Sequence, residues 1–413
     1  MSILIKNIKG IVQAGENLPL CVAGESMSQL NIIENGWILT EGSIIKDYGP
    51  MRQLPSDHNA LAVIDASGRF VLPSFCDSHT HLVYAGSREI EYVDKIRGLS
   101  YEEIAKRGGG ILNSAKLLRN TSEDELYHES MERVREIISF GTGAVEIKSG
   151  YGLDTESELK MLRVIKRIAD TSPIEVRATF LGAHAIPDEY KNDREGYIDL
   201  IINEMIPLIA SEELADFIDV FCDKGFFTVE ETERILMAGI KYGMQPKLHA
   251  NELDFSGGIQ TGVKYNALSV DHLEFTGNEE IEALLESGTM PTLLPGAAFF
   301  LGMIDPPVRK MIEAGLPIAL ASDYNPGSSP QGNMKLIMSF GCIKLRMLPA
   351  EDINAVTLNS AYAMGISDTH GSITRGKVAN LIITKEIPSI EYLPYAYGSQ
   401  LVERVILKGS EIE

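Results

Sequence analysis

Two histidines separated by one residue, His79 and His81, have the residue type and the spacing of metal ligands. They follow an apolar run at residues 70–75, whose aromatic and β-branched side chains predict a buried strand. Residues two apart on a strand face the same side, so both imidazoles would point into one site. Neutral imidazole is a common ligand of zinc and of other transition metals. An isolated His-x-His pair is more often two unrelated loop histidines, so the inference depends on the rest of the chain.

Further candidate ligands occur where later apolar runs end. His249 follows one such run, and Asp323 follows the last one. Three imidazoles and one carboxylate form a nitrogen-rich set that suits zinc or iron and not calcium or magnesium. The predicted ligands are His79, His81, His249 and Asp323. A metal in such a set lowers the pKa of water to about 7, so the predicted chemistry is hydrolysis with hydroxide as the nucleophile.

One of these ligands and two nearby side chains are candidates for proton transfer and for orienting the attacking water. Asp323 can accept the proton that the nucleophile loses. His272 can hydrogen-bond the attacking water, with its neighbour Asp271 fixing its tautomer. Glu252 lies three residues beyond His249, where its carboxyl can deliver a proton to a leaving nitrogen. The competing interpretations are a buried structural histidine for His272 and a helix first-turn acid for Glu252.

An alternation of strands and helices would bring these distant residues together. Eight apolar runs are separated by amphipathic stretches such as TESELKMLRVIKRIAD. This alternation predicts an α/β fold, a closed (β/α)8 TIM-like barrel with its site at the C-terminal ends of the strands. Five of the eight histidines fall at these ends, whereas His58, His128 and His370 lie in polar surroundings that predict solvated side chains. The predicted strands lie in residues 70–75, 144–152, 174–184, 216–222, 245–252, 267–274, 289–296 and 316–327.

The two ends of the chain have a different pattern. Short alternating segments joined by Gly and Asn, with an Asn-Gly turn at Asn35, predict an antiparallel sheet at the N-terminus. The C-terminal segment repeats this style from residue 371. We therefore expect a composite β-sandwich domain at 1–66 and 367–413, built from both termini, and a metallohydrolase barrel at 67–366.

Composition and charge restrict the partners. The chain has 413 residues, with 37 Lys and Arg against 58 Asp and Glu, and a net charge of -21. This charge disfavours nucleic acid and anionic membranes, and an anionic substrate would need local positive charge in the site. No signal-peptide pattern or membrane-length apolar run occurs, so a cytoplasmic location is expected. Four scattered cysteines predict neither disulfides nor a thiolate metal cluster.

Together these motifs resemble the amidohydrolase superfamily and, within it, the imidazolonepropionase family. The resemblance rests on DSHTHLVYAGSRE, GGGI at 108–111, VEIKSGYGLD, FLGAHAIP, DVFCDKGFF, LHANE, DHLEFT and SDYNPGSSP. Several such motifs over residues 75–332 are far more specific than one His-x-His pair. The resemblance implies hydrolysis of the ring C–N amide bond of 4-imidazolone-5-propanoate to N-formimidoyl-L-glutamate, a step of histidine degradation. It also suggests a homodimer.

The resemblance implies the site residues as well. One zinc or iron ion would bind the four predicted ligands, and catalysis would use Glu252, His272 and Asp323, with His184 stabilising the oxyanion. The substrate would contact Arg88, Tyr151, His184, Glu252, Asn325, Gly327 and Ser328. Arg88 can pair in a bidentate manner with the propionate carboxylate. Asn325 and the amides around Gly327 can also hold a carboxylate, although an Asn-Pro-Gly turn explains this loop too.

Three alternatives remain open at the level of sequence. A deaminase of purine or pyrimidine rings would share the ligands but has less use for Arg88. A non-catalytic barrel that serves as an interaction scaffold would be expected to have an incomplete ligand set. Lys148 could be carboxylated and bridge two metals, as in binuclear superfamily members, whereas the resemblance implies a single metal.

Overall fold

The computed structural model describes residues 2–56, 60–99 and 109–412, and within these ranges sixteen strands form two sheets of eight. The first five strands are β1 (Ile3–Val12), β2 (Ile32–Glu41), β3 (Ile44–Pro50), β4 (Ala62–Asp65) and β5 (Phe70–Pro73). β1 pairs antiparallel with β2 but parallel with β4 and β5. The prediction of a purely antiparallel sheet is therefore wrong, because local alternation does not specify the direction of a distant partner strand.

The next eight strands form a parallel barrel. They are β6 (Phe75–Thr80), β7 (Thr142–Lys148), β8 (Glu175–Ala183), β9 (Phe217–Cys222), β10 (Gln245–Ala250), β11 (Ser269–His272), β12 (Met290–Leu293) and β13 (Ala319–Leu320). Each strand pairs with its neighbours in chain order, and a parallel bridge between Thr80 and Tyr324 closes the circle. The backbone N–H of Asp323 donates to the carbonyl of His79 at 3.0 Å. The predicted barrel is confirmed, and its closure places Asp323 beside the first histidine pair.

The apolar run at 70–75 contains the end of one sheet and the start of the other. Phe70–Pro73 pairs within the terminal sheet, whereas Phe75 begins the barrel. The prediction that this run is the first barrel strand is wrong, since Pro73 has no N–H to continue a ladder and interrupts the run without a turn signal. His79 consequently lies inside β6 and His81 directly after it. We propose that the boundary between the two domains lies at Ser74 rather than before residue 67.

Amphipathic helices follow most of the barrel strands. The side chains of Ser122, Asp154 and Thr228 cap three of them by accepting the N–H of the third helical residue. Ser122 and Thr228 also form capping boxes with a glutamate, as the acidic first turns predict. The α-helices are Glu89–Ile96, Ile111–Asn120, Glu123–Ser139, Thr155–Thr171, Arg194–Leu200, Ile206–Ser211, Val229–Lys241, Gly258–Lys264, Asn278–Leu285, Pro295–Leu301, Val308–Ala314, Met334–Ile343, Pro349–Asn354, Ser360–Ala363 and Tyr392–Tyr395.

After the barrel the chain crosses back to the first sheet. The helical segment ending at Ala363 packs against the N-terminal part of the barrel strands, where Ala361 and Met364 contact Cys76 and Ala144. The chain then forms β14 (Leu381–Thr384), β15 (Val402–Leu407) and β16 (Ser410–Ile412). β14 pairs with β5, which joins both ends of the chain into one mixed sheet with its own apolar core. The prediction of a small sheet domain built from both termini is confirmed.

The histidines outside the predicted strand ends differ in their surroundings. His128 is exposed, as predicted. His370 is buried, with its Nδ1 2.9 Å from the hydroxyl of Thr369, so the prediction of a solvated side chain is wrong there. Burial, followed by the charges of Lys408 and Lys377, lowers the pKa of His370 to about 4. His58, like Gly108 of the GGGI motif, lies outside the described residues.

Across the described part of the chain, we find no helix with the length and hydropathy needed to cross a membrane.

Candidate active site

Three histidines converge at the C-terminal ends of β6 and β10. The side-chain nitrogens of His79, His81 and His249 lie within 4.8 Å of one another, and all three residues are buried. The Nε2 atoms of His81 and His249 are 3.4 Å apart. Asp323 Oδ1 lies 3.6 Å from His79 Nε2 and 3.5 Å from His81 Nε2. The structure thus brings the four predicted ligands to one point.

The hydrogen bonding of these rings fits a cation. His79 Nδ1 donates to Asp271 Oδ2 at 2.6 Å, which leaves Nε2 as an unprotonated acceptor. Among the described residues this buried Nε2 has no hydrogen-bond partner. Burial, followed by neighbouring positive charge, lowers the pKa of both His79 and His81 well below its ordinary value. Neutral imidazoles that share a point with a carboxylate oxygen form a donor set for a transition metal.

The strand ends that carry these groups have an unusual backbone. Asp323 has φ of +52° and His272 has φ of +87°, a region that side-chain-bearing residues rarely adopt. Each such residue costs on the order of 1–3 kcal/mol, so the surrounding structure must hold it in place. For Asp323 this support is visible, because Ser328 Oγ donates to Asp323 Oδ2 at 3.1 Å and Asn325 Nδ2 donates to its carbonyl at 2.7 Å.

Asn325 organises its own loop. Its Oδ1 accepts the N–H groups of Gly327 at 2.7 Å and Ser328 at 2.8 Å. Its Nδ2 also donates to the hydroxyl of Ser328. The N–H groups of Gly327 and Ser328 are therefore already bonded within the loop, and the binding of a substrate carboxylate by this loop stays a prediction. The signal was present in the sequence, since Asn is a residue whose side chain closes such turns.

Glu252 and His272 face the same space. His272 Nε2 lies 3.8 Å from Glu252 Oε2, and its Nδ1 lies 3.9 Å from Glu274 Oε2. Asp271 contacts His79 instead, so its predicted role on the His272 tautomer is wrong. Both oxygens of Asp271 already have partners, because His79 Nδ1 donates to Oδ2 and the hydroxyl of Ser269 donates to Oδ1, each at 2.6 Å. Glu274 is a buried carboxyl that the sequence analysis did not identify.

The proton affinity of Glu252 follows from its surroundings. Burial, followed by repulsion from Asp323 and Asp223, raises the pKa of Glu252 to about 8. The backbone N–H of Glu252 donates to Asp223 Oδ2 at 2.7 Å, which fixes the turn after β10. A carboxyl in this state is protonated at neutral pH and is able to donate its proton.

A cavity of about 560 Å³ opens above the histidines. All predicted substrate contacts line it, namely Arg88, Tyr151, His184, Glu252, Asn325, Gly327 and Ser328. Lys95, Lys224 and Phe221 line it as well, and the sequence analysis did not identify them. Two additional lysines increase the positive charge available to an anionic substrate on this acidic protein.

Arg88 is held by a carboxylate that the sequence analysis also missed. Glu91 Oε2 lies 2.8 Å from Arg88 Nε and 2.7 Å from Nη2. Glu91 in turn accepts the N–H of Gly110 at 3.0 Å and the amide of Asn113 at 3.3 Å. A side chain at Gly327 would collide with Nη1, so glycine leaves room for the guanidinium. The spacing of three residues on a helix start was the available signal for the Arg88 and Glu91 pair.

His184 is oriented by the loop after β7. Its Nδ1 donates to the carbonyl of Gly150 at 2.9 Å, and its ring stacks on His81 with centroids 5.2 Å apart. Burial, followed by the charge of His249, lowers the pKa of His184 to about 3, so the ring is neutral. Its Nε2 is then an acceptor, a state that disfavours the predicted oxyanion role because an oxyanion requires a donor.

Lys148 lies inside the barrel as part of a buried ion-pair network. Its Nζ is 2.8 Å from Asp219 Oδ2 and 2.5 Å from Glu146 Oε1. Glu146 also pairs with Lys247, and none of these side chains is exposed. A carboxylated Lys148 would place an additional negative charge beside two carboxylates, so this geometry disfavours the binuclear alternative.

Comparison with known proteins places these features in a family. The sequence model of the amidohydrolase family matches residues 70–411. Imidazolonepropionases from Flavobacterium johnsoniae and Christiangramia forsetii are 56% and 53% identical to this chain over 412 residues, covering 100% of both chains in each comparison. The imidazolonepropionase of Geobacillus thermodenitrificans is 44% identical and covers 99% of this chain and 97% of its own.

Solved structures agree at the level of the fold. A triazine hydrolase variant has a TM-score of 0.76 at 14% identity, covering 99% of this chain and 94% of its own. Guanine deaminase from C. acetobutylicum, solved with bound guanine, has a TM-score of 0.71 at 15% identity and covers 100% of both chains. Such low identities establish the shared architecture and nothing about the substrate. The full-length sequence relatives are decisive, and this chain belongs to the imidazolonepropionases of the amidohydrolase family.

Proposed function

We propose that this chain hydrolyses the ring C–N amide bond of 4-imidazolone-5-propanoate and forms N-formimidoyl-L-glutamate in histidine degradation. The observation that carries this proposal is full-length identity of 41–56% to proteins named imidazolonepropionase. The deaminase alternative is not favoured, because full-length relatives at 41–56% identity are named imidazolonepropionase and Arg88 lines the cavity. The scaffold alternative is not favoured either, since the four candidate ligands lie together.

We assign the metal to the four converging ligands, and the nitrogen-rich set favours zinc or iron. A cation held there supplies Lewis-acid chemistry, because it lowers the pKa of water and polarises an amide carbonyl. Asp271 keeps His79 in the tautomer whose Nε2 faces the site. Ser328 and Asn325 hold Asp323 towards the histidines. These contacts prepare the ligands before any ion arrives.

Two carboxyl groups of the cavity carry out different proton transfers. Asp323, whose Oδ1 lies 3.6 Å from His79 Nε2 and 3.5 Å from His81 Nε2, is placed to accept the proton of the attacking water. Glu252 carries a proton at pH 7 and donates it to the departing ring nitrogen. His272, which lies between Glu252 and Glu274, hydrogen-bonds the attacking water and orients it.

The remaining residues of the cavity bind the substrate. Arg88 pairs with the propionate through the edge of its guanidinium that Glu91 leaves available. His184 accepts a hydrogen bond from a ring N–H of the imidazolone through its Nε2. Tyr151, whose ring centroid is 5.4 Å from that of His184, closes one wall of the cavity.

The reaction is tested directly with purified protein. Loss of freshly prepared 4-imidazolone-5-propanoate is followed by ultraviolet absorbance, corrected for spontaneous decay, and the product is identified by mass spectrometry. We expect N-formimidoylglutamate from metal-loaded protein and none from chelator-treated protein. Absence of turnover with one metal ion bound per chain would overturn the proposed function.

Three further properties belong to this proposal. The metal is zinc or iron, which elemental analysis of the purified protein distinguishes. The location is cytoplasmic, in agreement with four cysteines that are all free. The chain forms a homodimer and acts on a small anionic molecule rather than on nucleic acid or membranes, which light scattering and binding assays test.

A further inference from the structure

We infer that Lys148 is a positioning residue for two of the metal-holding histidines. Its buried ammonium contacts the carboxylates that orient His79 and His249 from below. This inference rests on the proposed ligand set and adds a residue to it that contacts neither the metal nor the substrate.

The first contact chain reaches His79. Asp271 Oδ2 accepts the Nδ1 proton of His79 at 2.6 Å. The same oxygen lies 3.6 Å from Lys148 Nζ, and the hydroxyl of Ser269 donates to the other oxygen of Asp271 at 2.6 Å. Both oxygens of Asp271 are thus held in place. The tautomer of His79 depends on the Asp271 carboxylate being ionised and on its Oδ2 facing His79 Nδ1.

The second contact chain reaches His249. Asp219 Oδ1 accepts the backbone N–H of His249 at 3.1 Å, and Asp219 Oδ2 lies 3.0 Å from His249 Nδ1. Lys148 Nζ donates to this same Oδ2 at 2.8 Å. The ammonium of Lys148 therefore contacts two carboxylates, each of which contacts a different candidate ligand. These ligands are His79 on β6 and His249 on β10.

Charge balance explains why a cation is needed at this position. Three carboxylates, Glu146, Asp219 and Asp271, are buried together in the barrel with no exposed surface. Removing Lys148 would leave Asp219 without its paired ammonium in a dry interior, and Asp271 would keep only the charge of Lys247. The two carboxylates would then turn or take up protons, and the histidines above them would lose their fixed orientation.

Lys247 provides a matched control inside the same network. It is equally buried and also pairs with Glu146, but it donates to the carbonyls of Ser78 and Ala363, each at 3.1 Å. Within the described residues, the ion pair of Lys247 is with Glu146, whereas Lys148 also pairs with Asp219 beside His249. The variants Lys148→Met and Lys247→Met remove the same charge from the same interior and differ in their relation to the histidines.

The test measures metal affinity of the apo-protein by competition with a chromophoric zinc chelator, together with kcat, KM and melting temperature. We expect both variants to melt at lower temperature. Lys148→Met should bind zinc about 10- to 100-fold more weakly and lose kcat more than it changes KM. Lys247→Met should weaken zinc binding much less than Lys148→Met, because its ion pair is with Glu146 rather than with Asp219. Equal zinc affinity of the two variants would overturn the inference.

Two further measurements keep the test decisive. If Lys148→Met does not fold, Asp271→Asn keeps the side-chain shape while removing the charge, and unchanged zinc affinity in that variant would also overturn the inference. A carboxyl group on Lys148 in the intact mass spectrum, with two metal ions per chain, would overturn it as well. Since zinc affinity requires no substrate, these results are independent of whether the proposed reaction occurs.

Discussion

At the level of single residues, two carboxyl groups in one cavity have different proton affinities. Burial and the repulsion of Asp323 and Asp223 raise the pKa of Glu252 to about 8, whereas burial raises that of Asp323 to about 6. Environments that separate the pKa values of two groups assign one as the acid and the other as the base. We therefore propose Glu252 as the proton donor and Asp323 as the acceptor at pH 7.

Glu252→Gln tests the acid. Glutamine keeps the shape of the side chain but has no proton to transfer, so we expect kcat to fall by roughly a hundredfold or more. In the wild type kcat should decrease as pH rises through about 8, because Glu252 then loses the proton it must donate. The variant should lack this decrease and keep its metal, which pH profiles and metal analysis measure. Loss of the metal from the variant would contradict the assignment.

The residues of the cavity were predictable to different degrees. The four candidate ligands lie within or just after barrel strands, so the alternation of strands and helices was sufficient to expect them at one end of the barrel. Glu91 is signalled only by its spacing of three residues from Arg88, and no local pattern separates Glu274 from an ordinary surface acid. The acceptor state of His184 depends on the carbonyl of Gly150, 34 positions away, which the sequence cannot place.

At the level of elements, charged residues inside the barrel strands alternate with apolar ones. Glu146 and Lys148 are two apart on β7, and Lys247 and His249 are two apart on β10. This period directs them all into the barrel interior. The spacing of two is therefore visible in the sequence, but it does not show which charges inside the barrel pair with one another.

The helix that begins at Glu89 positions Arg88, which gives a second prediction. Glu91→Gln removes a charge-assisted contact to the guanidinium, so KM should rise about tenfold while kcat changes little. Steady-state kinetics measure this separation. Glu89→Gln, an exposed neighbour on the same helix, serves as the control and should behave like the wild type. An unchanged KM in Glu91→Gln would show that Arg88 does not need this partner.

The loop after β13 gives a third prediction. Asn325→Ala leaves the N–H groups of Gly327 and Ser328 without their acceptor, which should cost about 1–3 kcal/mol of folding free energy. Because Asn325 also supports Asp323, metal affinity should decrease with it. Denaturant unfolding and zinc competition measure the two effects. Full stability in this variant would contradict the role of Asn325 as the organiser of the loop.

At the level of the whole molecule, the metal couples to stability. A ligand that binds only the folded state at a thousand times its Kd stabilises that state by about 4 kcal/mol. We therefore expect chelation to lower the melting temperature and zinc to restore it. His249→Asn, which lacks one ligand, should show little response to zinc. An identical zinc response in the wild type and in this variant would argue against the assigned site.

The division into two sheets was predictable only in outline. The change from short alternating segments to alternating strands and helices identified the barrel and the terminal sheet. The crossing from one sheet to the other within residues 70–75 was not predictable, because Val71 and Phe75 are equally apolar and equally buried. Partners from the opposite end of the chain decide to which sheet each residue belongs.

The closure of the barrel between its first and last strands also determines when the candidate ligands can come together during synthesis of the chain. His79 and His81 leave the ribosome early, whereas Asp323 follows the eighth strand and is made much later. The carbonyl of His79 and the N–H of Asp323 meet only when every intervening strand is in place. A nascent or truncated chain therefore has histidines without their carboxylate, and the complete four-ligand set exists only in a molecule whose barrel has been finished.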